Sequence, residues 1–468
     1  MYDLLLKGAH VVDPLNGVNG VNDVAVEGGK IAAVGPDLTG PAREVIDVSG
    51  WVLQPGIIDS HVHLGSMWGS PYGPRMLAMN GMTTCLDMAG PLDDILEKTP
   101  QYGAGLNTAI LQFASPPFTF KTNAPSKAEM VELIDKSLAE GALGVKLLGG
   151  HYPLTPEVSS TLIKTALERR AYVAWHAGTS AHGSNLEGMI EAVQMADGYP
   201  LHLAHINAYC RGAIKNEIDE ARTAVELLNA NPNIFSESYI SPKNGTRLTC
   251  GPDGKIQSKV TGNCLRHFGF TEDRDGVRKA LLAHKAFAVY DAGGYSDLMT
   301  GEDAVKLWES HNTDVGGSFN INPPIPRILL AQVKRPDGAF VVDAISTDGG
   351  CIPRNVILSQ GLSLVKLDVL TLTEFAQKTS LNPARMLRLK DKGHLSVGAD
   401  ADITIYDYAA QTPKMSFVEG RKVLFKGEVL GKNANIICTE RGQKAIEARG
   451  LKAIVVDPGL PVDRVKAL

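Results

Sequence analysis

At 468 residues the chain is too long for one simple core, so one large domain and a smaller one are expected. An apolar content of 44% and a charged content of 21% fit a soluble globular enzyme. The net charge of -5 supplies no basic field for nucleic acid, and no stretch approaches the length of a membrane span.

Met1-Tyr2-Asp3-Leu4-Leu5-Leu6-Lys7 has no cationic segment, and its apolar run is too short for a signal peptide. The six cysteines (85, 210, 250, 264, 351, 438) form no Cys-x-x-Cys pair. A reduced, cytoplasmic setting is therefore expected, with Cys250–Cys264 the one pairing open in an oxidising compartment. Residues 1–55 read as short strands. Leu4–Leu6, Val11-Val12, Asp23–Val26, Ile31–Val34 and Trp51–Leu53 are apolar or alternating, and Asn16-Gly17, Glu27-Gly28-Gly29 and Ser49-Gly50 punctuate them.

Gly56-Ile57-Ile58-Asp59-Ser60-His61-Val62-His63-Leu64-Gly65 follows, an apolar strand ending in two histidines one residue apart. Positions two apart on a strand face one side, so His61 and His63 aim two imidazoles at one point. That suits a divalent metal, although two satisfied polar residues at a strand end read the same way.

Beyond it, strands and helices alternate. Gly81–Asp87 and Thr108–Phe113 are strand-like. Ser126 with Glu129 forms a capping-box signature, and Met130, Leu133, Ile134 and Leu138 carry helical spacing. Leu143–Leu148 is the next strand, followed by a helix from Pro156, a strand Ala171–His176 and a helix over Leu186–Met195. Leu201–Ile206 and the helix Ile218–Leu228 complete the series. This rhythm predicts an α/β fold with a parallel sheet, most simply a (β/α)8 TIM-like barrel. Residues 240–335 lose the pattern and read as insertions near the active-site face. Phe340–Asp348 reads as the closing strand. From 391 the β-rich texture returns in Ala401–Tyr406 and Gly420–Gly427. The expected organisation is residues 1–55 and 391–468 forming a β-sandwich and tail, and residues 56–390 forming the barrel.

Strand ends in the middle section repeatedly finish in metal-competent side chains: His61, His63, Lys146, His176, His205 and Asp348. Each has an ordinary explanation alone, such as a buried ion-paired lysine, a core histidine or a turn aspartate. In a barrel the C-terminal strand ends converge on one site, which makes six such residues in order hard to dismiss. His202 competes with His205. The two are three apart, so they face opposite ways on a strand, and the apolar Leu203-Ala204 before His205 favours His205 at the site. His202 is expected to face the helix layer, or to be neutral and hydrogen-bonded.

These residues resemble the amidohydrolase superfamily: Pro55-Gly-Ile-Ile-Asp59 before His61-Val-His63, Gly81-Met-Thr-Thr84, Lys146, His176, His205, Asp348, and Gly393–Asp402. The lysine resembles the binuclear branch that includes hydantoinase, dihydroorotase and isoaspartyl dipeptidase. What this implies is two divalent metals, zinc by default or manganese or iron, bridged by a carboxylated Lys146. His61, His63 and Asp348 would hold one, and His176 and His205 the other. Asp348 would also carry the proton, and Tyr152 would bind the oxyanion, although an exposed loop aromatic reads the same way. His176-Ala-Gly178, Gly188, Glu191, Pro200–Ile206, the stretch from Ser236-Glu-Ser-Tyr239 to Leu248 and Asp348-Gly349 with Pro353-Arg354 also look like N-acyl-D-amino-acid deacylases, which carry a cysteine ligand and usually lack the fourth-strand lysine. Cys85 lies two residues early for that and reads as core or as a neighbour of the ligands.

The implied activity is hydrolysis of a non-peptide C–N bond in an N-acyl amino acid or cyclic amide by metal-bound hydroxide. The alternatives are a heterocycle deaminase, an esterase or lactonase, and a non-catalytic barrel scaffold. The expected partner is a small-molecule substrate, with no nucleic acid and no membrane, and a barrel of this size is expected to form a homo-oligomer. Arg211, Asn207, Arg247 and Arg354 are candidates for pairing a substrate carboxylate.

Overall fold

Two large sheets and a small one organise the chain, and the apolar first strand decides where one of the large ones sits. Tyr2–Asp13 buries Leu4, Leu6, Ala9 and Val11, and pairs antiparallel with Val18–Glu27. Lys30–Gly35, Ala42–Asp47 and Val52–Pro55 extend this sheet. Val52–Pro55 then pairs antiparallel with Ile403–Asp407, which brings in Thr412–Val418, Arg421–Phe425 and Glu428–Val429 from the far end of the chain. Leu6, Val24, Leu53, Ile403, Ile405 and Phe417 share one core, so both chain ends hold the same sheet. Each large aliphatic side chain buried there contributes roughly 1.5–3 kcal/mol. The computed structural model describes residues 1–462 and Arg464. The remainder of the expected 391–468 part, Asp463 and residues 465–468, lies outside the described residues.

Gly56 joins this sheet directly to the barrel. A Cβ there would stand 2.2 Å from Thr83 Oγ1, so the tight passage requires glycine. The barrel strands are β1 (Ile57–His63), β2 (Met82–Ala89), β3 (Ala104–Ala114), β4 (Gly144–Leu148), β5 (Tyr172–His176), β6 (Leu201–Leu203), β7 (Ile234–Tyr239) and β8 (Ala344–Ser346). Neighbours are parallel throughout. β8 pairs with β7, and Gly349–Gly350 just after it pair with β1, so the sheet curls back on its first strand.

Period-2 alternation sorts the side chains. Ile58, Met88, Leu111, Tyr172, Ala174 and Phe235 share one cluster, the barrel interior. Val145, Leu147, Val173, Trp175, Leu201 and Leu203 pack with Met130, Ile134, Leu162, Met189 and Leu228 of the surrounding helices. The first of those helices, Lys127–Glu140, begins with the capping box read from Ser126 and Glu129: Glu129 N donates to Ser126 Oγ, and Ser126 N donates to Glu129 Oε2.

Residues 240–335 are a small subdomain placed between β7 and β8. Thr246–Arg247, Gly316–Phe319, Ala286–Asp291 and Ser296–Met299 form a four-stranded antiparallel sheet. Helices Lys259–His267, Arg274–Leu282 and Glu302–Ser310 close over Leu248, Leu265, Val277, Leu281 and Trp308. Farther on, Asn433–Cys438 and Lys452–Val455 join the barrel sheet: Asn433–Cys438 lies parallel to β3, and Lys452–Val455 lies beside it.

Lys378 is buried where the terminal sheet meets the barrel. Its Nζ donates to Val342 O at 2.6 Å and lies 4.2 Å from the Phe340 ring centroid. Burial pushes its ammonium down to about 7, against the opposing pull of Asp343 and Glu374. Between that value and the ordinary 10.5 the unfolded chain binds more protons, so this residue makes stability rise with pH across that window. Lys378→Met should flatten this component, by up to about 1.4 kcal/mol per pH unit. Denaturant unfolding at several pH values from neutral to alkaline checks it, and parallel curves for the two proteins would contradict it.

Candidate metal centre

His61 and His63 leave the C-terminal end of β1 on the same side. His63 Nε2 lies 2.9 Å and His61 Nε2 3.4 Å from Asp348 Oδ1. Ligand atoms of the three residues lie within 4.8 Å of one another. Asp348 follows β8 in the left-handed region (φ 50°), where its backbone N donates to His61 O at 2.9 Å. Beneath it, Thr347 Oγ1 donates to Asp59 Oδ2 at 2.5 Å, which ties the end of β8 to β1. Burial would push the Asp348 carboxyl up. Arg354 opposes this, its Nη2 standing 2.6 Å from Asp348 Oδ2, and with His61 and His63 it holds the group well below the ordinary carboxylate range. Arg354 Nε also donates to Asp348 O at 2.6 Å, so one guanidinium grips both the side chain and the backbone.

Across the cavity, His176 Nδ1 faces His205 Nε2 at 3.2 Å. His176 Nε2 lies 2.7 Å from Ser184 Oγ, a partner that orients the ring. Burial lowers the pKa of His61, His176 and His205, the last to about 3. Neutral imidazoles are the form that ligates a cation. Lys146 projects from β4 into the same cavity and is fully buried. Its one hydrogen-bond partner among the described residues is Met88 Sδ at 3.0 Å, a weak acceptor for an ammonium. Burial lowers its pKa to about 8, although Glu237 and Asp348 pull the other way. The donor set of four imidazoles, one ionised carboxylate and one poorly solvated amine suits divalent cations.

Glu237, near the end of β7, has a role that the sequence reading did not give it. It is completely buried. Oε1 accepts from His61 Nδ1 at 2.6 Å and from the backbone N of His205 at 2.7 Å, and Oε2 accepts from Ser346 Oγ. One carboxylate thus sets the tautomer of His61, leaving Nε2 to face Asp348, and fastens the turn at His205. The Ser236–Tyr239 stretch was the available signal, but nothing local shows which way Glu237 points.

His202 corrects an expectation. It does not face the helix layer but the barrel interior, with Nδ1 2.8 Å from Tyr172 OH and its ring near Phe235. The argument from a spacing of three fails because β6 ends at Leu203, and His205 turns into the left-handed region (φ 35°). The other expectation for His202, a neutral and hydrogen-bonded ring, agrees with its contact to Tyr172 OH and with burial, which lowers its pKa.

All six expected ligands line one cavity of about 660 Å³ at the C-terminal strand ends. Helix Lys259–His267 of the inserted subdomain forms part of its wall. Tyr152 stands outside that lining: its ring packs edge-on to Phe118 at 5.2 Å, while His151 and Pro153 on either side line the cavity. Cys85 lies in the core, its Sγ 3.7 Å from Thr108 Oγ1. Of the four candidates for a carboxylate, Arg354 is taken by Asp348, and Arg247 pairs with Asp314. Asn207 Oδ1 accepts from Ser238 Oγ and Tyr239 N, and Arg211 lines the cavity. No helix among the described residues is long and apolar enough to cross a membrane.

The Amidohydrolase family model matches residues 363–430. A dihydroorotase of Geobacter metallireducens is 25% identical over 431 residues, covering 86% of this chain and 90% of that protein. An allantoinase of Deinococcus radiodurans is 26% identical, covering 94% of this chain and 98% of its own. Among solved structures, a D-aminoacylase described as defining a subset of amidohydrolases superposes with a TM-score of 0.66 at 18% identity, covering 93% and 99% of the two chains. With the barrel, the terminal sheet and the strand-end cluster on the page, the chain has the TIM-barrel fold of that D-aminoacylase.

Proposed function

We propose that the protein is a metal-dependent hydrolase of a non-peptide C–N bond, the amide of an N-acyl amino acid or of a cyclic amide. The observation that carries this reading is the His61–His63–Asp348 cluster at the mouth of the barrel, with ligand atoms within 4.8 Å of one another. The similarity to proteins named dihydroorotase, allantoinase and D-aminoacylase supports the amide chemistry.

In this reading His61, His63 and Asp348 would hold one cation, and His176 and His205 would hold a second. Lys146 would join them as a carbamate, its neutral amine adding CO2 at Nζ with release of one proton. The chemistry that bound cations supply is activation of a water and polarisation of the carbonyl. Asp348 takes the water's proton on its carboxylate and delivers it to the leaving nitrogen. Arg354 keeps that carboxylate ionised and aimed. Glu237 keeps the Nδ1 proton of His61 turned away from the reaction. Tyr152 stands out of the cavity and is assigned no step.

Chelation followed by dialysis should abolish hydrolysis of such amides, and adding back Zn, Mn or Fe ions should restore it. Activity that survives complete metal removal would reject the proposal. Lys146 is tested separately. Native mass analysis should find an added carboxylate on it. Lys146→Ala should lose bound metal and activity, with partial rescue by short carboxylic acids. An unmodified lysine in metal-loaded, active protein would reject the carbamate.

A further inference from the structure

The cavity wall is unbalanced in charge. Besides Lys146 it carries Arg211, Lys259, Arg266 and Arg354, against a single carboxylate, Asp348. Arg354 already neutralises Asp348, and Arg266 pairs with Glu272. Arg211 has no carboxylate partner among the described residues, and its charge faces the same space as the metal-competent cluster.

Arg211 is also held in place. It follows the turn that carries His205 and is half-buried. Nε donates to Asn322 Oδ1 at 2.8 Å, and Nη2 donates to Tyr239 OH at 2.9 Å. Asn322 belongs to the inserted subdomain and is itself fastened, through its backbone N to Pro242 O and its Nδ2 to Ser241 O. Tyr239 closes β7, with its ring under the Arg354 guanidinium. Both acceptors are neutral, so they orient the guanidinium without cancelling its charge. Nη1 and the second N–H of Nη2 have no protein partner among the described residues. Two N–H groups in a fixed plane match the two oxygens of a carboxylate. The contrast with the neighbours is chemical: Arg247 and Arg354 meet carboxylates within the chain, and Arg211 does not.

We propose that Arg211 anchors a carboxylate of the substrate, so that the molecule cleaved is an acidic amide rather than a neutral one. The binding claim stands on the geometry of Arg211, and the word "cleaved" rests on the function proposed above. The exposed Lys259, which lines the same cavity, adds attraction for the same charge.

The test uses the full-length, metal-loaded protein and matched probes. These are N-acetylalanine of each hand against its neutral primary amide, and a hydantoin bearing an acetate arm against plain hydantoin. Hydrolysis is measured as kcat/KM, and binding is measured independently by calorimetry. The wild type should prefer the acid of at least one pair. Arg211→Met should cut the acid-over-neutral preference about 10- to 100-fold, the loss of a charge-assisted bidentate contact, and Arg211→Lys should fall between. Metal content and melting temperature of both variants establish that they are folded. If Arg211→Met does not fold, Arg211→Lys carries the same comparison. Wild-type protein that does not prefer the acid, or a variant that loses acid and neutral probe in parallel, overturns the proposal. Acid binding that depends on Arg211 with no turnover of any probe upholds the anchor and rejects the hydrolase reading. Turnover of neutral probes alone upholds the hydrolase reading and rejects the anchor.

Discussion

Glu237→Leu should weaken metal binding about 10- to 100-fold and lower activity in step. The carboxylate is the common acceptor for His61 Nδ1 and His205 N, one on each histidine arm of the site. Removing it frees His61 to change tautomer and leaves three buried donors, His61 Nδ1, His205 N and Ser346 Oγ, without this acceptor, at about 1–3 kcal/mol for each group left unsatisfied. Glu237→Gln keeps one oxygen for these donors but turns an amide N–H2 toward Ser346 or His205, so a smaller loss is expected. Competition against a chromogenic chelator measures the metal affinity, and thermal unfolding of the metal-free protein measures the structural part separately. A leucine variant that binds metal as tightly as the wild type would show that the histidines need no such support.

Asp348→Asn should lower kcat by about 10²–10⁴, because the amide keeps the shape of the side chain but cannot accept the proton. Fold and most of the bound metal should survive, since His61 and His63 remain and Asn retains an oxygen. Near-normal turnover in this variant would place the base elsewhere. The ion pair with Arg354 gives a second measurement. Arg354 holds the Asp348 carboxyl below its ordinary range, so activity that depends on the ionised form persists to low pH and is lost as pH falls through that depressed pKa. Arg354→Met removes the positive charge and raises the carboxyl's pKa, so the acid limb of the pH–rate profile should move upward. The substitution at Asp348 decides whether this group is the base, because a water activated at the site would give an acid limb of the same shape.

The features legible in the chain were those set by short-range periodicity. The apolar run Leu4–Leu6 and the alternation in Ala401–Tyr406 marked the two halves of one sheet, and Ser126 with Glu129 marked a helix start, because period and capping act within a few residues. His61 and His63 were legible for the same reason, since a spacing of two on a strand fixes a common side before any packing is known. Where the local conformation departed from the ideal strand, the same logic failed. β6 is three residues long, and the left-handed turn at His205 reverses what a spacing of three from His202 would imply.

Long-range partners were beyond that reach. His61 and Glu237 are 176 residues apart, and nothing near either one announces the other. Closure of the barrel brings β1 and β7 to either side of β8, and that geometry assigns Glu237 to a ligand rather than to solvent. Arg354 was read as a substrate contact, because a sequence shows a charge but not the carboxylate that neutralises it. Asn433–Cys438 lies in the part expected to join the terminal sheet, yet it pairs with β3 and Lys452–Val455 pairs with it in turn, since a strand's sequence records that it has a buried face and not which sheet covers it. Residue type and spacing were enough to nominate the metal-competent side chains and the barrel that carries them. Which groups orient them, and which arginine is left to meet a ligand, depended on contacts between distant segments that exist only once the sheet has closed.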